Sequence, residues 1–155
     1  MIRFFSIIFI SISSLAIDAQ SSEYILQKEQ AEEAFIFLNK VRVNPSKFST
    51  EIGYFMKSVK QKHELKWNDI LAKAAEGKAM DMAKKNYFNH VSKEGNGINI
   101  MIHKAGYKIN SDWFKDRKDN SFESISAVTQ TATEAIKNLI IDANVKSLGH
   151  RKHLL

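Results

Sequence analysis

Leu65-Lys66-Trp67-Asn68-Asp69-Ile70-Leu71 runs into an alanine-rich segment that closes on Phe88-Asn89-His90. Asn68 or Asp69 can cap a helix here, because a short side-chain oxygen accepts from the orphan N–H groups of a first turn. Leu71, Ala74, Ala75, Ala79, Met82 and Ala83 then follow the i, i+3, i+4 rule, which predicts a helix to about Asn86. Alanine dominates its apolar face, so this helix can approach a neighbour closely. Asn89 to Asn96 is polar and reads as a loop.

Upstream, Leu26, Ala34, Phe35, Leu38 and Val41 recur at helical spacing, which predicts a helix over Glu23 to Val43. Asn44-Pro45 ends it, since a residue before proline is pushed out of the helical region. Phe48, Ile52, Phe55, Met56 and Val59 are spaced like a short helix within Ser46 to His63, with Gly53 as a weak point. Downstream, Gly97 to Lys104 reads as a short helix that Gly106 closes. Tyr107 to Ile109 and Phe122 to Ile125 read as strands. Thr131 and Glu134 have the capping-box spacing ahead of Ala135, Ile136, Leu139 and Ile140, which predicts a last helix to about Asp142. Helices alternating with a few short strands give an α+β class.

The first residues stand apart. Arg3 precedes an uncharged apolar run from Phe4 to Ile17, and Ala19 offers a small residue for cleavage. A run of that length is short for a membrane span and suits a secretory signal peptide over residues 1–19, leaving one domain over 20–155. An N-terminal membrane anchor is the alternative; a lipoprotein is excluded, because the chain has no cysteine to acylate. Removing residues 1–19 takes away Arg3 and Asp18 and so keeps the net charge at +6. The expected location is therefore secreted, extracellular or periplasmic, with no transmembrane span after cleavage and no disulfide framework.

The positive charge comes from lysines spread along the chain and interleaved with acids, and no aromatics alternate with arginines. That argues for a solvated basic surface and against a nucleic-acid partner. Attraction to anionic cell-surface polymers or lipid headgroups follows from charge alone.

Of the five histidines, His90 and His150 lie in polar or glycine-containing contexts just beyond helices, where loop positions can aim an imidazole into a cleft. Spacing alone supplies no metal signature. Glu123 sits between apolar neighbours in Phe122-Glu123-Ser124-Ile125; alternation allows it to face inward, needing donors or a cation, or outward. Neither a Gly-x-Ser-x-Gly elbow nor a phosphate-binding glycine loop occurs. Nothing in the pattern points to a serine–histidine pair.

Taken in order, these segments resemble the CAP superfamily of cysteine-rich secretory proteins, venom allergens, plant pathogenesis-related proteins and many bacterial exported (SCP-like) proteins. The resemblance rests on Leu38-Asn39-Lys40-Val41-Arg42, Leu65 to Leu71, Phe88-Asn89-His90, Gly106-Tyr107, Phe122 to Ile125, Leu139 to Asp142 and Gly149-His150-Arg151-Lys152-His153-Leu154-Leu155. It implies an α-β-α sandwich with a cleft holding two histidines, here His90 and His150, able to bind a divalent cation, often zinc. It also implies acidic partners, Glu123 and Asp142. At the family's Gly-Glu-Asn-Ile element, Phe122 replaces glycine and Ser124 replaces asparagine. Family domains continue beyond the Gly-His-Arg segment, so the resemblance implies a C-terminally incomplete domain without its last strands.

Such a domain is expected to act as a binding module for a lipid, cell-envelope or host-surface ligand. Its zinc site would be weak and exchangeable, since two histidines leave open positions. Phe55, Trp113 and Phe114 could line an apolar groove, with core packing the expected role for most of them. A zinc-dependent hydrolase using His90, His150 and Glu123 is the alternative, and a truncated remnant without function a third.

Overall fold

The computed structural model describes residues 6–8 and 24–155. Most of the N-terminal segment read as a signal peptide lies outside these residues.

Lys28–Val43 forms the first helix, α1, and buries Ala34, Leu38, Val41 and Arg42. It starts later than periodicity suggested, with residues 24–27 irregular. The apolar side packs on α5 (Ala132–Ile141) through Ala132, Ala135, Ile136, Leu139 and Ile140, and Ile52, Met56, Leu154 and Leu155 complete this main core. Thr131 and Glu134 make the expected capping box at the start of α5.

Asn39 and Arg42 on α1 have a structural role. Asn39 exchanges two hydrogen bonds with Leu65, donating to its carbonyl at 3.1 Å and accepting from its amide at 2.8 Å. Arg42 donates to the carbonyls of His63 and Leu154, at 3.3 and 2.5 Å. These bonds fasten the extended approach to α3, and the last residues of the chain, onto the first helix.

Of the segment between Ser46 and His63, only a short helix α2, Ser49–Ile52, forms after a 3-10 turn at Pro45–Phe48. Gly53, at φ +74, closes it. Helix α3, Asp69–Lys84, is capped by Asn68, whose side chain accepts from the amides of Ile70 and Leu71. It ends on Asn86 in the left-handed region, with Asn86 N–H donating to Ala83 and Tyr87 N–H to Met82. Helix α4, Ile98–Lys104, packs Ile98 and Ile102 on Leu71 and Ala74 of α3.

Tyr107 to Ile109 does not form the expected strand. The amides of Gly106 and Tyr107 instead donate back to His103 and Ile102, a closure that uses the Tyr107 N–H a ladder would need. A 3-10 turn at Ser111–Phe114 follows.

Strand β2, Glu123–Ile125, is buried throughout and pairs in parallel with β1, Ser6–Ile8, in the register Ser6↔Glu123 and Ile8↔Ile125. Ile125 packs on Ala75, Ala79 and Met82 of α3. Because side chains alternate along a strand, Ser124 faces the other way, toward α6 (Gly149–Leu154). Over the described residues the chain is thus mixed in class, mostly helix with little strand.

Candidate functional site: two histidine–carboxylate pairs

His90 is placed by the end of α3. After the Asn86 turn the chain reverses, and Asn89 accepts from the amide of Val91 at 2.9 Å, which fixes the loop around His90. Glu123 opens β2 on the same side. Its side chain is fully buried, and Oε2 lies 2.7 Å from Nδ1 of His90. Of the two orientations that alternation allowed, the inward one is adopted. Oε1 is buried without a hydrogen-bond partner.

Beside this pair lies a residue that the sequence reading passed over. Lys78 of α3 is 0% exposed, on the face otherwise built from alanine, leucine and methionine. Its Nζ donates to Tyr87 Oη at 3.3 Å and to the carbonyl of His90 at 3.2 Å, and lies over the Tyr87 ring. Burial pushes this amine below its ordinary range, against the opposing attraction of Glu123, Asp81 and Glu94. The Tyr87 hydroxyl in turn donates a hydrogen bond to Asp81 Oδ2 at 2.5 Å, and its pKa is raised by burial and by that bond. Asp81 pairs with Lys85, which also holds Glu94. Burial acts to raise Asp81, but bonds from Lys85 and Tyr87 outweigh it and hold the carboxyl low. The same lysine holds the exposed Glu94 down at about 2. A polar chain thus runs from the surface at Glu94 to the backbone of His90. Its one sequence signal was a lysine at a position where the helical apolar stripe calls for a small hydrophobe.

The second pair is built at the end of α5. Asp142 occupies the left-handed region at φ 51, and its Oδ1 lies 2.8 Å from Nδ1 of His150. Oδ2 accepts from the amide of Arg151 at 3.3 Å. Burial alone would raise Asp142, yet the bonds from His150 and Arg151 lower it. His150 is not a loop residue as its glycine-containing context suggested; it stands in the first turn of α6. That turn is locked by Arg151, which donates to the carbonyls of Ile140 and Ile141 and to Tyr54 Oη, and stacks on the Tyr54 ring at 3.8 Å. Ile140 and Ile141 are last-turn carbonyls of α5, which need an outside donor.

The structure therefore joins His90 with Glu123 and His150 with Asp142. Among the described residues, no three histidine or acidic side chains gather into one metal-holding group. It also brings together two residues no motif linked, Ser124 Oγ and His153 Nδ1, at 2.8 Å. Ser124 is only 2% exposed, so its hydroxyl is a packing contact rather than an open nucleophile.

Residues 36–155 match the model of the cysteine-rich secretory protein (CAP) family. The chain belongs to the CAP family. No curated protein and no solved structure matches it. The segments carrying this CAP domain's two histidine–carboxylate pairs all lie inside the matched range. The chain has no cysteine, and bonds such as those of Asn39, Arg42 and Arg151 tie its segments together.

Among the described residues, no helix is long and apolar enough to cross a membrane. Phe55 and Trp113 of this CAP domain are exposed rather than core residues, while Phe114 stacks on His103 at 4.4 Å. Between α1 and α3 lies a groove of about 420 Å³, lined by Lys28, Glu32, Trp67, Ile70, Lys73 and Glu76 among others, that shares no residue with either pair.

Proposed function

We propose that this chain is a secreted CAP-domain binding module whose histidine–carboxylate cleft takes a divalent cation weakly, zinc being the best-suited ion. The observation that carries the reading is that each imidazole has Nδ1 against a buried carboxylate. A carboxylate there favours the Nδ1–H tautomer and leaves the Nε2 lone pair for an ion. The buried, unpartnered Oε1 of Glu123 is a further oxygen suited to a cation. His90 and His150 would hold the ion; when bound, it would supply a positive centre for an anionic group of a ligand. Two imidazoles fall short of the three protein ligands usual in catalytic zinc sites, which favours binding over turnover.

The ligand expected is a lipid, cell-envelope or host-surface component. The basic surface and the exposed Phe55, Phe88 and Trp113 support that class. Export is supported by the apolar N-terminal run ending near Ala19 and by the secretory character of the family. An α-β-α layering is supported by β2 having α3 against Ile125 and α6 against Ser124.

Thermal unfolding with and without zinc, at about pH 7.5 and about pH 5.5, tests the metal claim, because an ion bound only by the native state raises Tm and imidazole ligands must be deprotonated. The expected result is an upward shift at the higher pH that is absent in His90→Ala and in His150→Ala. A cooperative transition indifferent to zinc would leave a binding module without the metal.

A further inference from the structure

We infer that the loop from Phe55 to Lys66 is a docking surface for an anionic lipid bilayer, its lysines meeting the headgroups and Phe55 entering the apolar layer beneath them. The surface shares no residue with the two histidine–carboxylate pairs. The inference rests on the binding-module reading only for its class of ligand.

Between Lys57 and Lys66 the chain carries four lysines, Lys57, Lys60, Lys62 and Lys66, against one acid, Glu64. All four lysines are exposed. Among the described residues no carboxylate pairs with any of them, whereas four other lysines each have one. Glu51, the acid that precedes the loop, is already held by Lys137 at 3.0 Å. Neighbouring ammonium groups repel, and no ion pair within the fold relieves them. An anionic surface outside the molecule does.

Phe55 supplies the second component. It is 67% exposed, while Met56 beside it is fully buried. An aromatic ring left in water gains by entering the boundary between headgroups and acyl chains. Lys57 Nζ lies 5.8 Å from the centroid of that ring, so an ammonium and an apolar wedge stand side by side. An anionic polymer would satisfy the lysines but offers no apolar layer for Phe55. A bilayer satisfies both.

The loop is irregular yet fixed. Met56, Val59 and Leu65 are its inward residues, and all three pack in or against the main core. The amide of Met56 donates to Ser49 Oγ at 3.1 Å, that of Lys62 to the Arg42 carbonyl at 2.8 Å, and that of Leu65 to Asn39 at 2.8 Å. These bonds use the backbone of the loop and leave its lysine side chains unengaged. A surface held this way loses little conformational freedom when it docks.

The test is co-sedimentation of the full chain with two kinds of vesicle, phosphatidylcholine alone and phosphatidylcholine mixed with phosphatidylglycerol at roughly three parts to one. The apolar N-terminal run would enter both alike, so the difference between them reads the charge. Wild type is compared with Lys60→Glu/Lys62→Glu, with Phe55→Ser, and with Lys108→Glu/Lys146→Glu, which removes equal charge from exposed lysines of other segments. Circular dichroism checks the fold of each. Wild type is expected to prefer the anionic vesicles. Lys60→Glu/Lys62→Glu should weaken that binding at least about tenfold, since each lysine at an anionic surface is worth about fivefold. Phe55→Ser should weaken it several-fold, and Lys108→Glu/Lys146→Glu much less than the loop pair. Equal weakening by the two double variants would overturn the inference, showing net charge alone at work, and would leave a lipid-class ligand standing. Phe55→Ser without effect would overturn the insertion into the bilayer. Wild type without preference for the anionic vesicles would overturn the docking surface outright. Retention on heparin would then leave a binding module for anionic polymers, and no retention would count against both readings.

Discussion

Asp142 accepts from His150 Nδ1 across the turn joining α5 to α6, at 2.8 Å, while its own backbone sits in the left-handed region at φ 51. The carboxylate is almost wholly buried, and its other oxygen takes the amide of Arg151. One side chain thereby ends a helix, starts the next and sets the orientation of an imidazole. Asp142→Asn keeps the left-handed preference but removes the charge. It is expected to cost about 1.5–3 kcal/mol, the range for a hydrogen bond to a charged group, in urea unfolding. No measurable loss would mean that the turn is held by Arg151 alone.

The acid limb of stability has a separate source. Asp81 and Glu94 both titrate below their ordinary values in the folded chain, held there chiefly by Lys85 and Tyr87. A carboxylate lowered on folding adds stability that is fully present above its unfolded pKa, near 4, and is lost as pH falls through the folded value. Urea midpoints should therefore be insensitive to these groups above about pH 5 and decline toward pH 2. Asp81→Asn should flatten that decline; an unchanged slope would remove Asp81 from the account.

How much of this was legible beforehand varies by residue. The capping box at Thr131, the Asn68 cap and the apolar face of α3 were readable because they depend on neighbours in the chain. Tyr107 was misjudged because its amide serves the preceding helix, a use that β-propensity does not register. His90 and Glu123 could be nominated by resemblance, but which way Glu123 faced depended on burial. Lys78 was hidden for the opposite reason. A lysine between Gly77 and Ala79 reads as one more charge that a long side chain carries to the surface, even on the apolar stripe, until tertiary packing covers it.

Val128 makes a stability prediction that owes nothing to the pairs. It is fully exposed and sits at φ 62, a conformation that is strained for a β-branched residue. Val128→Gly should relieve about 1–2 kcal/mol of backbone strain and return part of it as unfolded-state entropy. The expected net gain is about 0.5–1 kcal/mol in urea unfolding. A loss instead would show that the valine side chain restrains the loop.

Ser124 and His153 offer a check on chemistry. Their 2.8 Å contact has the atoms of a nucleophile and a base, but the hydroxyl lies on a buried strand. An activity-based fluorophosphonate is expected to leave the protein unlabelled. Labelling that disappears in Ser124→Ala would reverse the assignment of this pair to packing.

The bond from Arg42 to Leu154 joins α1 to α6 across 112 positions of sequence. During synthesis α1 emerges long before its acceptor, so the guanidinium must wait in water until the segment carrying Leu154 follows it out of the ribosome. Leu154 and Leu155 belong to the same core that α1 and α5 build. A nascent chain that has not yet delivered these residues holds α1 to α5 without the pieces that seal them together, and it stays open to whatever machinery handles unfolded polypeptides.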